Sequence, residues 1–264
     1  PKSVPGYGKL LPLIRETLSH GIIIAAQSQD DADRFLSLGA NPSRTCVMGN
    51  IKFDVEPDSG VGDIAAVTRN ELFGHRPVWI AASTHDGEEQ LVLDVHRDLL
   101  VRHPDLLLVL VPRHPERFAA VRELIEKRDM TVISRTEQRP AGDAAVFLCD
   151  TMGEVPLFYA ASDVAFVAGS LVPIGGHNLL EPAALGVPVI TGPHNFNSQD
   201  IADLFESLGA CRIVSGTGEL GEVVSELLTD SDEADRLGRA GQQVLENNRG
   251  ALERLLVLLE PLLK

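Results

Sequence analysis

The residues with the clearest capacity for chemistry lie between positions 166 and 197. Paired glycines, Gly175 and Gly176, stand just before Asn178 in this segment. Glycine lets the backbone approach a ligand closely, and amide groups at a helix start favour anions. Because asparagine often precedes a helix, we predict that a helix begins at Asn178. The pattern therefore predicts a phosphate site built from Gly175, Gly176, His177 and Asn178.

Glu181, three residues after Asn178, has two interpretations. In a capping box, the Asn178 and Glu181 side chains bind backbone amides of the first helical turn, and no ligand is involved. Alternatively, the Glu181 carboxylate contacts a bound ligand. The second interpretation is favoured by polar residues just beyond predicted strand ends, where open parallel sheets bind ligands. These residues are Ser170, His177, His194, Asn195 and Asn197.

The elements that must position this segment follow from an alternation of short β-branched runs with amphipathic helices. This alternation predicts an α/β fold with a parallel sheet and helices on both of its faces. The predicted strands are 21–27, 45–49, 78–83, 106–111, 131–134, 145–149, 163–168, 187–191 and 212–215. The last predicted helices are 219–228, 231–247 and 251–263.

Further candidate site residues stand where other predicted strands end. Because parallel strands end at a common edge of the sheet, these side chains would lie near the phosphate site. They are His85, Arg113, His114, Met152, Gly153 and Glu154. Arg113 suits phosphate or carboxylate recognition, since a guanidinium can donate two parallel hydrogen bonds. The alternative for Arg113 is a surface arginine at the start of a helix.

Composition excludes several classes of protein. The net charge of −15 argues against broad nucleic-acid binding, which calls for clustered Lys and Arg. Cys46, Cys149 and Cys211 are far apart in apolar segments, as reduced buried thiols usually are, and their spacing predicts no metal site. No apolar run is long enough to span a bilayer. We expect the chain to be part of a longer protein, since it starts at Pro1 without an initiator methionine.

The predicted domain organisation is unequal. Residues 55–63 are rich in Pro, Gly and Asp and are predicted to be a linker. Residues 1–54, with one predicted helix and two strands, are too few for an independent core and are interpreted as the end of a preceding domain. Residues 64–250 suffice for a complete α/β domain, and 251–264 form a final helix.

Four sequence blocks carry a family resemblance: GNIKFD at 49–54, AASTHDGEE at 81–89, VPRHPERF at 111–118, and DTMGE at 150–154 followed by GSLVPIGGHN to GPHNFN. Through them the chain resembles the C-terminal portion of bacterial 3-deoxy-D-manno-octulosonic acid (Kdo) transferases, which glycosylate lipid A. The resemblance implies a GT-B fold of two Rossmann-like domains, of which this chain holds the complete donor domain and the tail of the acceptor domain.

The resemblance also implies an activity. The family transfers Kdo from CMP-Kdo to a lipid A precursor at the cytoplasmic face of the inner membrane, by an inverting reaction without a metal or other cofactor. Its general base is a glutamate near the start of the acceptor domain, so no catalytic residue is expected in this chain. Contact with the membrane is expected through the preceding N-terminal region.

Individual site residues receive roles from the same resemblance. Glu181 would accept hydrogen bonds from the ribose hydroxyls. Lys52 could meet the Kdo carboxylate, and the alternative is a solvated surface lysine. The backbone of Met152, Gly153 and Glu154 would border the cytidine, while Ser170 could add a hydroxyl to the phosphate site. Ile174 stands where the family usually has a basic residue, so a cation expected there for the donor carboxylate is absent.

Two other functions remain open at this stage. One is a donor-binding module that holds a nucleotide sugar but is inactive in isolation, because the base lies upstream. The other is a different GT-B enzyme, a transferase or epimerase that uses a UDP-sugar, since the glycine pair and the glutamate are shared in outline.

Overall fold

The structure is a computed structural model that describes residues 11–19, 21–56 and 60–263. By its contacts the chain divides into two units, Pro1–Asp54 with Leu245–Lys264, and Val55–Val244. Residues 245–250 therefore belong to the first unit, whereas the sequence placed them with the second domain. Residues 1–10 of the first predicted domain and residues 57–59 of the predicted linker lie outside the described residues.

The bounds of the regular elements are as follows. The helices are α1 (Leu11–Ser19), α2 (Gln29–Ser37), α3 (Val61–Thr68), α4 (Glu88–Arg102), α5 (Phe118–Glu126), α6 (Val155–Ala160), α7 (Leu180–Ala184), α8 (Gln199–Ser207), α9 (Thr217–Thr229), α10 (Ser231–Asn248) and α11 (Ala251–Leu259). The strands are β1 (Ile24–Ala26), β2 (Thr45–Val47), β3 (Val78–Thr84), β4 (Leu107–Pro112), β5 (Val132–Ser134), β6 (Val146–Leu148), β7 (Val164–Val167), β8 (Val189–Thr191) and β9 (Arg212–Ile213).

The first unit contains a small parallel sheet in which β1 pairs with β2. One cluster of its buried apolar residues comes from β1, α2 and the turn after α2. The Asp54 carboxylate accepts hydrogen bonds of 2.6 Å from the backbone amides of both Gly250 and Leu252. This carboxylate caps the start of α11 and joins the two chain segments of the unit. The sequence predicted one helix before residue 54, whereas the described residues contain both α1 and α2.

In the second unit, the described strands form a seven-stranded sheet in the order β5-β6-β4-β3-β7-β8-β9, and every pairing is parallel. The chain first builds outward from β3 through β4 to β6 and β5, and then returns to β7 on the other side of β3. Strand order thus reverses beside β3. Open parallel sheets bind ligands at the carboxyl ends of the strands at such a reversal.

Both faces of this sheet are buried, which explains why strands such as β4 and β7 are apolar at consecutive positions rather than at alternate ones. Trp79 and Ala81 of β3 belong to the large buried cluster that includes apolar residues of α4, α5 and α9. A second group of buried rings includes Phe147 of β6, which packs against Phe73 and Phe158 with ring centroids 5.2 and 5.7 Å away. The α/β class and the predicted strands are confirmed, with ends that shift by a few residues.

A buried histidine is part of this core. Trp79 Nε1 donates to His96 Nδ1 at 3.1 Å, and His96 Nε2 lies 2.8 Å from the carbonyl oxygen of Ala145. These partners require a proton on Nε2 and none on Nδ1. Burial lowers the pKa of His96 to about 4, so the ring is neutral at neutral pH.

Among the described residues, no helix combines the length and the apolar character that a bilayer crossing requires.

Candidate functional site

A polar pocket of about 310 Å³ opens at the carboxyl edge of the large sheet, where the strand order reverses. It receives residues from the ends of β3 and β4 and from the segments after β6 and β7. Its lining residues are Ser83, Val111, Pro112, Arg113, Thr151, Met152, Gly153, Val155, Tyr159, His177, Asn178 and Glu181. Six of the predicted site residues are among them, namely Arg113, Met152, Gly153, His177, Asn178 and Glu181.

Two histidines meet at the edge of the pocket. His85 Nε2 lies 2.7 Å from His177 Nε2, and the two ring planes are parallel within 3°. The ring of His114 stands edge-on to His85, with centroids 5.3 Å apart. Burial lowers the pKa of both His85 and His177, and that of His177 falls to about 4. At neutral pH the pair is therefore uncharged, and the N–H group of one ring donates a hydrogen bond to the other ring.

The paired glycines do not point their amides into the pocket. The amides of Gly175 and Gly176 donate to the carbonyl oxygen of Gly169, at 3.1 and 2.8 Å. Their positive φ angles of 112° and 73° support the need for glycine, but these glycines are buried. The prediction that these two amides bind phosphate is therefore wrong, because their hydrogen bonds are used within the loop.

The next two amides remain available. Within the described part of the chain, the backbone amides of His177 and Asn178 have no protein acceptor. Both residues line the pocket. Of the predicted phosphate-binding residues in this loop, His177 and Asn178 therefore stay predictions.

The helix after this loop also begins later than predicted, at Leu180 rather than Asn178. Asn178 Oδ1 accepts from the amide of Leu180 at 3.1 Å, and Asn178 Nδ2 donates to Glu181 Oε1 at 3.1 Å. A capping box would instead join the Glu181 carboxylate to a backbone amide. Glu181 thus lines the pocket with one carboxylate oxygen bound by an amide side chain and the other open to a ligand.

Arg113 and Arg117 lie close in sequence but differ in their contacts. The amide of Arg113 donates to the Thr84 carbonyl at 3.0 Å, and within the described residues its exposed guanidinium has no ion pair. Arg117 binds both oxygens of the buried Glu89 carboxylate at 3.2 Å and also pairs with Asp86 at 2.9 Å. Arg113 is therefore free to bind an anionic ligand, whereas Arg117 neutralises a buried carboxylate.

The segment after β6 forms another side of the pocket. Gly153 has φ of 84°, so this turn requires glycine. The Glu154 carboxylate pairs with Arg135 at 2.9 Å and with the hydroxyl of Thr151, and it does not line the pocket. Asp150 accepts from the amide and hydroxyl of Thr136, at 2.9 and 2.6 Å, and thereby braces the loop. Arg135 is a supporting residue that sequence reasoning missed.

Neither Ser170 nor Lys52 is among the residues that line the pocket. Ser170 is fully buried, where its hydroxyl donates to the Val167 carbonyl and accepts from the Gly192 amide, both at 2.8 Å. Its predicted contact with a phosphate is therefore wrong. Lys52 belongs to the first unit, in a single turn at Ile51–Phe53, and its contact with a donor carboxylate stays a prediction. Ile174 is 43% exposed in the loop after β7.

Sequence reasoning also missed Glu88, a fully buried carboxylate near the pocket. Its side chain is fully buried and accepts from the backbone amides of Gly169, Ser170 and Leu171, at 2.7, 3.0 and 3.0 Å. Burial raises the pKa of Glu88, and these amide donors act in the opposite direction. In the sequence, Glu88 and Glu89 resemble ordinary acidic residues in the first turn of a helix, and no spacing distinguishes them from such residues.

In the part of the chain that the structure describes, no cluster of His, Cys, Asp and Glu has the arrangement of a metal site. The described cysteines are free thiols, with Cys149 and Cys211 buried and Cys46 partly exposed. Burial raises the pKa of Cys149 to about 11.

Comparison with known families assigns the fold. Residues 75–244, which include the entire pocket, match the group 1 glycosyl transferases. The chain belongs to the group 1 glycosyl transferase family. Residues 1–55 match the 3-deoxy-D-manno-octulosonic-acid transferase (kdotransferase) family. The resemblance to Kdo transferases and the GT-B type of fold are thereby confirmed.

Individual proteins agree with this assignment. The 3-deoxy-D-manno-octulosonic acid transferase of Haemophilus influenzae is 43% identical over 265 residues, which cover 100% of this chain and 62% of that protein. The chain therefore spans less than two thirds of this curated relative. The crystal structure of the C-terminal CMP-Kdo binding domain of WaaA from Acinetobacter baumannii has a TM-score of 0.66 and 35% identity, over 70% of this chain and 97% of that domain.

Anabaena HepE, solved in complex with UDP and glucose, has a TM-score of 0.55 and 17% identity, over 91% of this chain and 62% of that protein. At this identity the likeness concerns the fold alone.

Proposed function

We propose that this group 1 glycosyl transferase chain is the donor-binding half of a Kdo transferase in lipopolysaccharide biosynthesis, and that its pocket binds CMP-Kdo. The observation that carries the proposal is the 35% identity to a CMP-Kdo binding domain over 97% of that domain. The pocket lies within the matching unit and holds a free arginine, two open amides and a carboxylate.

Each part of the donor has a partner of suitable chemistry. The amides of His177 and Asn178 and the guanidinium of Arg113 bind the phosphate, since all of them donate hydrogen bonds. The Glu181 carboxylate accepts hydrogen bonds from the ribose hydroxyls. The loop that contains Met152 and Gly153 borders the cytosine. The role of Lys52 at the Kdo carboxylate rests on the family resemblance alone.

The chemistry is a direct displacement at the anomeric carbon. An acceptor hydroxyl forms the new bond with inversion, while the bond from that carbon to the phosphate oxygen breaks and CMP departs. Negative charge grows on the phosphate during this step. Donors fixed around the phosphate therefore stabilise the transition state more than the ground state.

The remaining parts of the proposal come from the family resemblance. The reaction proceeds without a bound metal, and a glutamate of the acceptor domain, upstream of these residues, removes the proton from the acceptor. The acceptor is a lipid A precursor, and the complete protein works at the cytoplasmic face of the bacterial inner membrane, which it contacts through its N-terminal region.

Titration calorimetry of the 264-residue chain with CMP, UMP and UDP tests the donor assignment. We expect CMP to bind most tightly. A clear preference for UDP would contradict the proposal and favour a UDP-sugar enzyme.

The location of the base is tested separately with CMP-Kdo and a lipid A precursor. We expect transfer by the complete protein and none by this chain alone, which would then act as a binding module. Transfer by this chain alone would contradict the upstream location of the base.

A further inference from the structure

Glu88 accepts four backbone hydrogen bonds at the first residue of α4. Oε1 accepts from the amides of Ser170 and Leu171, both at 3.0 Å, and Oε2 accepts from those of Gly169 and His85, at 2.7 and 3.3 Å. The side chain is fully buried, and among the described residues it pairs with no cation. A buried carboxylate is unfavourable unless its oxygens are satisfied, and here amides alone satisfy them.

These amides belong to two segments that leave the sheet side by side. His85 follows β3, and Gly169 to Leu171 follow β7, the strand paired with β3. Sheet hydrogen bonds stop where the strands end, so other contacts must hold such segments together beyond that point. Glu88 therefore joins the two segments at the point where the pocket begins.

The joined segments carry the histidine pair. The amide that binds Glu88 Oε2 is that of His85 itself. The ring of His177 packs on Gly169 so closely that a Cβ at Gly169 would lie 2.8 Å from His177 Cδ2. The carbonyl of Gly169 also accepts from Gly175 and Gly176, the residues just before His177. One carboxylate is thus connected to both imidazoles through backbone contacts.

From this geometry we propose that Glu88 is a positioning residue, which fixes the His85–His177 pair beside the bound phosphate without touching the ligand itself. The identity of the ligand rests on the proposed function, but the positioning of the two rings does not. Residues that hold a binding side chain in its productive geometry contribute to ligand affinity as well as to the fixed position of that side chain.

Glu89 is a matched control for Glu88. It is equally buried and adjacent in sequence, but its carboxylate binds the Arg117 side chain rather than loop amides. Loss of either carboxylate disturbs a buried polar contact. Only the loss of Glu88 should disturb the histidine pair.

The test compares Glu88→Gln, Glu88→Asp and Glu89→Gln in the 264-residue chain. The imidazole nitrogen signals of His85 and His177 are followed by NMR, with those of His96 and His103 as internal references. CMP affinity is measured by calorimetry. We expect Glu88→Gln to shift the His85 and His177 signals and to weaken CMP binding by about tenfold, because an amide nitrogen then faces backbone donors.

Glu88→Asp keeps the charge but shortens the reach, so we expect a smaller loss of affinity. Glu89→Gln should lower the melting temperature and leave the His85 and His177 signals in place.

The proposal is overturned if Glu88→Gln folds with unchanged His85 and His177 signals, or if Glu89→Gln shifts them equally. Failure of both Glu88 variants to fold would also overturn it, since Glu88 would then support the whole fold rather than the pair. Should CMP fail to bind the unmodified chain, the proposed function fails, while the NMR comparison still decides the role of Glu88.

Discussion

His85 and His177 share a single hydrogen bond between their Nε2 atoms, 2.7 Å apart. One nitrogen must donate and the other must accept, so the pair cannot hold a proton on both atoms. An arriving phosphate supplies negative charge that favours the protonated form of an imidazole. The added proton would go to Nδ1 of the donating ring, which is unprotonated in the neutral pair, so the pair can take up a proton when an anion binds.

This relationship predicts that CMP binding is coupled to proton uptake. The pKa of His177 is about 4 in the free protein, so the pair starts uncharged at neutral pH. Bound phosphate raises the pKa of the pair above its free value, so affinity should increase as pH falls from neutral towards the pKa that the pair has in the complex, and the measurement is confined to pH values above about 6. In this range the phosphate itself stays mainly dianionic, since its second pKa is about 6.

Other charged groups also face the pair and must be held constant. Arg113 and His114 lower the pKa of both histidines, Arg117 acts on His85, and Glu88 binds the His85 amide. Calorimetry in two buffers of different ionisation enthalpy measures the protons taken up, with His85→Asn as the comparison. Equal proton uptake by the chain and by this variant would contradict the prediction.

Arg113→Gln should weaken CMP binding by about ten- to a hundredfold, because a charge-assisted hydrogen bond contributes about 1.5–3 kcal/mol. Its melting temperature should change little, since the side chain is exposed and has no ion pair among the described residues. Thermal unfolding and calorimetry check the two expectations.

Arg117→Gln provides the opposite pattern. It leaves the buried Glu89 carboxylate without its cation, so the free energy of unfolding should fall by about 3 kcal/mol. The contrast between these arginines would be wrong if Arg113→Gln lowered the free energy of unfolding by this amount and Arg117→Gln left it unchanged.

Glu181→Gln should weaken the binding of CMP by about tenfold through the loss of a charged acceptor for the ribose hydroxyls. Stability should be almost unchanged, because glutamine can still accept from Asn178 Nδ2. The measurement compares CMP with a cytidine monophosphate that lacks both the 2′- and 3′-hydroxyls. The variant should lose affinity for CMP alone, and an equal loss for both ligands would exclude the ribose contact.

His96 should make the fold sensitive to acid. Its pKa in the folded protein is about 4, against about 6.5 in an unfolded chain, so the unfolded state binds a proton first as pH falls. The stabilisation is complete above pH about 6.5 and is lost progressively down to pH about 4, amounting to about 3 kcal/mol.

Denaturant unfolding between these pH values checks the prediction, with His96→Phe compared to the exposed control His75→Gln. We expect His96→Phe to lower stability at pH 7, since Trp79 and Ala145 lose their partners, and to reduce the dependence on pH. An unchanged pH dependence in His96→Phe would show that another group is responsible.

Much of the fold was predictable because its determinants are local. Runs such as that of β4 are apolar at every position, which is how strands buried on both faces appear, and the helices between them have amphipathic periodicity. The parallel arrangement of the strands predicted that Arg113, Met152 and His177 lie at the same edge of the sheet. The family motifs pointed to the same residues.

The sequence alone determined the α/β class, the strand edge of the site and the family of the chain, since each depends on residue type and spacing. Only the tertiary structure decided which hydrogen-bond donors remain available. Gly175 and Gly176 donate to a carbonyl six and seven residues earlier, and Glu88 binds amides more than eighty residues away. Such partners are set by packing between distant segments, and each bond made within the protein removes a donor that the local pattern would assign to a ligand.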